Sequence, residues 1–237
     1  ATYLYMLSQT TVDSLLYVTA LNDFIEQHPQ SPEGYIERAK FYGTNNKFAE
    51  CEADINRATE LSDPKDNPHY TLSRLIYQNS LYNETNAQAA GWSLERAASE
   101  AQAAYDANPI PLYQLQLGDC YFGMKDYAKA AECYEKVNRS SIASAETFFY
   151  EAKAKEKLNA PANEIISLLD SAIAKFEKPY DKKAAPYLWE RAEQLNLAGK
   201  YREAVLDYIE YEHVVGFRNL NDNFYYHREQ AAVEGKM

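Results

Sequence analysis

The chain has 237 residues, 46% of them apolar and 25% charged, and a formal net charge of −11. Apolar content with interspersed rather than blocked charges excludes a disordered protein, and no apolar run reaches the ~18 residues of a membrane-spanning helix. The acidic balance sets most of the surface against a phosphate backbone, which argues against nucleic acid and favours a basic or mixed-charge protein segment.

In chain order, Tyr3 to Leu7 reads as the end of a helix rather than a strand, and Val12 to His28 predicts the second helix of a pair. Nine prolines fall where apolar periodicity stops. Proline is tolerated in a helix's first turn and breaks its interior, so Ser31-Pro32 and Asn67-Pro68 read as cap and first turn. Between these marks apolar residues recur at three and four. Two-residue alternation and an Asn-Gly hairpin turn are both missing, so the predicted class is all-α.

Pro32 to Pro64 predicts a helical hairpin: Ala39 marks the crossing, Tyr42 packs beside it, and Phe48, Cys51, Ile55 and Ala58 face back. From Pro68 to Asn108 the second helix is clear (Ala97, Ala101, Ala104). A long link around Asn83 to Asn86 departs from the pattern, and the first helix's register is not fixed. Pro111 to Val137 is the clearest unit. Leu117, Gly118 and Tyr121 share one face, Ala130, Tyr134 and Val137 another, and Lys125-Asp126-Tyr127 is the turn. Glycine inside a helix costs roughly 1 kcal/mol relative to alanine, so Gly118 implies a close crossing with Ala130 opposite. Ala145 to Glu177 repeats the pattern loosely (Ala152, Ile165, Leu169, Ala172), its turn lengthened around Pro161. Ala185 to Gly216 repeats it well, through Ala192, Leu195, Gly199, Tyr201, Ala204, Tyr208 and Tyr211. Phe224 to Met237 predicts a first helix that ends at its turn, so the array is expected to continue beyond this stretch. Tyr127 and Tyr201 lie two repeats of about 37 residues apart.

These residues resemble the tetratricopeptide repeat, a helix–turn–helix unit of about 34 residues with small residues at the crossing. The resemblance implies a right-handed α-α superhelix of antiparallel helix pairs, as one array over 1–237. Its approximate units are 1–31, 32–66, 67–109, 110–143, 144–183, 184–219 and a partial 220–237. It also implies an extended concave face lined by the first helix of each unit, and a non-catalytic scaffold or adaptor that takes an extended or helical protein segment there. Three other readings stand beside it: the recognition arm of a larger enzyme, a module that self-assembles through its terminal helices, and a solenoid that binds a small molecule or glycan. Tyrosine- and asparagine-rich repeats of this kind resemble bacterial envelope-associated arrays, which points to the periplasm or envelope rather than the cytoplasm.

Counted from the crossing residues Ala39, Gly118, Ala152 and Ala192, the inward positions are Ile36, Glu37 and Lys40; Leu115, Gln116, Asp119 and Phe122; Phe149, Tyr150 and Lys153; and Trp189, Glu190, Glu193 and Asn196. The terminal helix adds Tyr225, Tyr226 and Glu229. The set is aromatic toward its C-terminal half and mostly acidic in charge, which suits an apolar or basic segment anchored on aromatic hot spots. The lysine, arginine and asparagine with which one branch of the family grips a terminal carboxylate are not at the matching places.

No catalytic motif, phosphate loop or paired CxxC occurs, and His28, His69, His213 and His227 lack metal-ligand spacing. No enzyme activity, cofactor or metal is expected. Glu210-Tyr211-Glu212-His213 reads as a solvated face, since helix neighbours point in different directions. Cys51, Cys120 and Cys133 read as small buried apolar residues, a Cys120–Cys133 disulfide being the alternative. Asn83-Glu84-Thr85 and Asn138-Arg139-Ser140 match the glycosylation pattern, which has meaning only in a secreted eukaryotic protein.

Overall fold

The computed structural model describes residues 14–63 and 68–237. Among them are thirteen α-helices and no strand. The helices are α1 (Ser14–Gln27), α2 (Pro32–Thr44), α3 (Phe48–Leu61), α4 (Pro68–Tyr82), α5 (Glu84–Ala89), α6 (Leu94–Ala107), α7 (Pro111–Gly123), α8 (Tyr127–Asn138), α9 (Ala145–Lys157), α10 (Ala162–Ile173), α11 (Ala185–Leu197), α12 (Tyr201–Val215) and α13 (Asp222–Glu234). The predicted helix at Tyr3 to Leu7 and the cap at Asn67 lie outside the described residues. The chain divides into two compact units, Ala1–Lys125 and Asp126–Met237.

In the first unit α1 packs on α2, α2 pairs with α3, α4 with α6, and α6 packs on α7. Pro32 and Pro111 each sit in a first helical turn, where the missing N–H costs nothing. Ser31 precedes α2 as expected, but its hydroxyl donates to the Glu33 carboxylate and leaves the backbone uncapped. The α2/α3 pair buries the expected Ala39, Phe48, Cys51, Ile55 and Ala58. Each fully buried aliphatic side chain there is worth roughly 1.5–3 kcal/mol.

The stretch whose register the sequence leaves open is settled by burial. Leu72, Ser73, Leu75 and Ile76 turn α4's inner face to the core. The Ser73 hydroxyl donates to the Ala97 carbonyl at 2.7 Å, where α4 meets α6. The long link is itself the short helix α5. It ends in Gly91 at φ +74° and folds Trp92 against Phe48, ring centroids 4.4 Å apart. Trp92 is fully buried and donates its indole N–H to Glu52 at 2.6 Å.

In the second unit α8 packs on α9, and each later helix packs on the one before it through α13. A Ser144–Thr147 capping box opens α9, and Asn221 caps α13 by accepting from the Phe224 amide at 3.0 Å. The cores are built from small residues against large ones: Ala152 with Ile165 and Leu169, then Ala192 and Ala204 with Leu195, Tyr208 and Phe224. The expected crossing residues Ala39, Ala152 and Ala192 are fully buried, and Gly118 is buried.

One turn recurs. A residue with positive φ stands fourteen positions after the first residue of a leading helix: Asn46 after Pro32, Lys125 after Pro111, Asn159 after Ala145, Gly199 after Ala185 and Lys236 after Asp222. The residue that follows bonds back across the turn in four cases. Lys47 donates to Tyr42, Ala160 to Lys155, Lys200 to Leu195 and Met237 to Ala232, at 2.9 to 3.0 Å. This is the Schellman closure, which satisfies the last carbonyls of the helix.

Candidate functional site

In the second unit the leading helices α9, α11 and α13 carry ten of the residues expected to face inward. The ammonium of Lys153 lies 2.6 Å from Glu156 and 3.1 Å from Glu190 of the next leading helix. Burial works against that ammonium, and the two carboxylates more than compensate, holding its pKa above the ordinary lysine value. Gln194 reaches toward Glu156 and Glu190 at 3.5 and 3.4 Å. Farther along, Glu193 accepts from the Tyr208 hydroxyl and stands 3.2 Å from His227 of α13. A row of carboxylates thus runs across α9 and α11, answered by one lysine of α9 and one histidine of α13.

Aromatic residues flank the row. Phe149 meets Tyr150 and Tyr187 edge-on, and Tyr150 also stacks on Tyr134 at 5.9 Å. Trp189 is half-buried among Tyr208, Tyr211, Phe224 and His227. Tyr150 and Tyr226 are exposed, at 41% and 63%. Asn196 and Tyr225 are half-buried, and Glu229 is exposed.

The sequence reading missed Glu156, Gln194 and His227. Glu156 and Gln194 lie three and four residues from Lys153 and Glu190, and that periodicity was the signal available for them; His227 falls off the spacing of Tyr225, Tyr226 and Glu229.

In the first unit Glu37 and Lys40 pair with each other at 2.7 Å on α2, beside half-buried Ile36. On α7, Leu115, Asp119 and Phe122 are half-buried. Gln116 is not inward-facing: at 6% exposure it lies in the interior, its amide toward the Cys120 sulfur at 3.5 Å. The leading helix between them, α4, adds residues that were not foreseen. Tyr70 lies 5.0 Å from Tyr113, and the Arg74 guanidinium stands over the Tyr70 ring at 5.8 Å. Burial raises the Tyr70 phenol, and Asp119 acts in the same direction.

The Tyr208–Glu193–His227 contacts have the composition of a catalytic relay but not its access. Tyr208 is fully buried, and burial together with the Glu193 carboxylate pushes its phenol up, away from the reactive anion. Among the described residues no group of three His, Cys, Asp or Glu is placed to hold a metal ion, and no helix is long and apolar enough to cross a membrane.

The tetratricopeptide repeat model matches residues 113–141, which take in most of α7 and all of α8. No curated protein matches the sequence. Several solved structures match the fold. Pseudomonas aeruginosa PilF is 13% identical, with TM-score 0.67 over 98% of this chain and 95% of that one. YrrB, described as a tetratricopeptide-repeat protein with an unusual peptide-binding site, is 13% identical with TM-score 0.62 over 89% and 98%. Yeast Tom70 is 15% identical with TM-score 0.63 over 99% of this chain and 47% of its own. At such identities the likeness is one of fold. Residues 113–141 thus carry a tetratricopeptide repeat, and the chain around them shares the helical-repeat fold of these structures.

Proposed function

We propose that the chain is a non-catalytic scaffold that binds an extended or helical protein segment on the leading-helix face of its second unit. The observation that carries this reading is the carboxylate row Glu156, Glu190 and Glu193, set across α9 and α11, met by His227 of α13 and accompanied by Trp189, Tyr150 and Tyr225 on the same three helices. Paired side chains hold the row in place before any partner arrives, which lowers the ordering cost of binding. Its net negative charge selects a basic segment, and the flanking rings offer anchors for apolar side chains. The fold supports the reading as well, because stacked helical hairpins present long surfaces for other chains. In YrrB the fold carries a peptide-binding site.

The test is selection of binders from a random peptide display library, followed by affinity measurement at two salt concentrations. Selected peptides should be rich in lysine or arginine with aromatic residues between them. Replacing Glu190 and Glu229 by glutamine should weaken them at least threefold at low salt and less at high salt. Acidic binders, or basic binders indifferent to both replacements, would overturn the proposal.

A further inference from the structure

Where α11, α12 and α13 meet, the second unit forms a cavity of about 200 Å³. Three rings make one side: Trp189 and Tyr211 at 5.5 Å, and Tyr211 stacked on Phe224 at 5.6 Å and 26°. Three carboxamides, Asn219, Asn221 and Asn223, and the aliphatic Leu220 complete the lining. No charged side chain lines the cavity, although a quarter of the chain is charged.

Two of the carboxamides are fixed by one end. Asn219 donates its amide to the Val215 carbonyl at 2.7 Å, which leaves its oxygen as an acceptor. Asn221 spends its oxygen on the cap of α13, which leaves its amide as a donor. All three carboxamides are exposed, and among the described residues Asn223 has no side-chain hydrogen bond.

A ligand that answers this lining has a flat C–H face for the rings. It also has uncharged groups that both donate and accept. A charged ligand finds no counter-ion here. A purely apolar side chain would cover the carboxamides without pairing them, which is unfavourable for buried polar groups. The space equals roughly six or seven waters at ~30 Å³ each, below the ~300 Å³ of a drug-sized site and suited to one ring. We propose that this cavity binds one neutral pyranose ring of a sugar, its C–H face on Trp189 and its hydroxyls on Asn219, Asn221 and Asn223. The cavity shares Trp189 with the peptide-binding face but uses neither the carboxylate row nor its charge.

Tryptophan emission reads it directly. The chain has two tryptophans, and Trp92 is fully buried in the first unit, so a sugar-induced shift reports Trp189. The whole chain is titrated to millimolar concentrations with methyl glycosides of glucose, galactose, mannose and N-acetylglucosamine, and with their disaccharides. At least one should give a saturable shift. Asn223→Ala should weaken that sugar about three- to tenfold, as expected for one hydrogen bond, with melting unchanged. The proposal is overturned if no sugar saturates, or if the shift ignores Asn223→Ala. It is also overturned if an uncharged aromatic peptide shifts the emission and no sugar does, which would assign the cavity to a peptide side chain.

Discussion

Arg191 grips Asp207 with two parallel bonds, Nε and Nη2 each 2.7 Å from a carboxylate oxygen, and reaches Asp170 with its remaining nitrogen at 2.7 Å. The first unit holds the same device: Arg38 forks onto Asp54 at 2.8 and 2.7 Å and reaches Asn22 at 2.8 Å. In both, the arginine is the seventh residue of a leading helix and the aspartate the seventh of its partner. The aspartates are almost fully buried, at 5% and 5% exposure. Removing one member of such a pair strands the other in a dry setting. Arg191→Leu alone should therefore cost about 2–4 kcal/mol. The corresponding positions in Pro111 to Val137 carry Leu117 and Cys133, both buried. The double change Arg191→Leu with Asp207→Cys imports that apolar solution and should recover most of the loss, as urea unfolding of the three proteins would reveal. A double variant as unstable as the single one would mean that the brace does more than fill and neutralise its site.

The recurring turn gives a pair of opposite effects. Gly199 occupies the left-handed position at φ +72°, where a side chain is strained, whereas Lys125 meets the same demand at φ +63° with one. Gly199→Ala should lower stability by about 1 kcal/mol, and Lys125→Gly should raise it by about 0.5–1 kcal/mol. Thermal melts of both single variants decide it. Equal and same-signed shifts would show that tertiary contacts, not backbone strain, govern these turns.

These turns and braces also show what was legible in the sequence. Small residues at three-or-four spacing located Ala39, Ala152 and Ala192 because only a close crossing buries them completely. The same periodicity failed on α4, where the crossing residue is Ser73, a polar side chain that satisfies its hydroxyl on the Ala97 carbonyl. It also placed Gln116 among the groove-facing positions, whereas that side chain is buried with its amide toward Cys120 of the same helix, a contact that no spacing announces. The carboxylate row was half legible. Glu190 and Glu193 follow from helical spacing, but their pairing with Lys153 and His227 depends on how far successive leading helices are offset, which no local pattern encodes.

His69 of α4 donates its Nδ1–H to the Glu100 carboxylate of α6 at 2.6 Å. That contact raises the imidazole pKa above its ordinary value, against a smaller opposing effect of burial. A folded-state pKa above the unfolded one means that protonation favours the fold. The contribution is fully present below the unfolded value of about 6.5 and is lost as pH rises through the higher folded value. The group is partly exposed, so solvent screening keeps the effect small. Unfolding free energy measured across this range should decline with rising pH in the parent, and the decline should shrink in His69→Gln. A decline of the same size in the variant would assign it to other groups.

Cys51, Cys120 and Cys133 are thiols buried in the interior. Burial pushes the Cys51 thiol up to about 12, with Glu52 and Asp54 adding to the effect. The thiolate is the species that reacts with alkylating reagents, so two barriers act together here, lack of access and lack of ionisation. In the folded chain at mildly alkaline pH all three cysteines should resist iodoacetamide, and their labelling should rise with the unfolded fraction along a urea titration. Mass spectrometry of the labelled peptides resolves the three sites. Rapid labelling of Cys51 in the absence of urea would mean that the packing of α2, α3 and α4 around it opens locally without global unfolding.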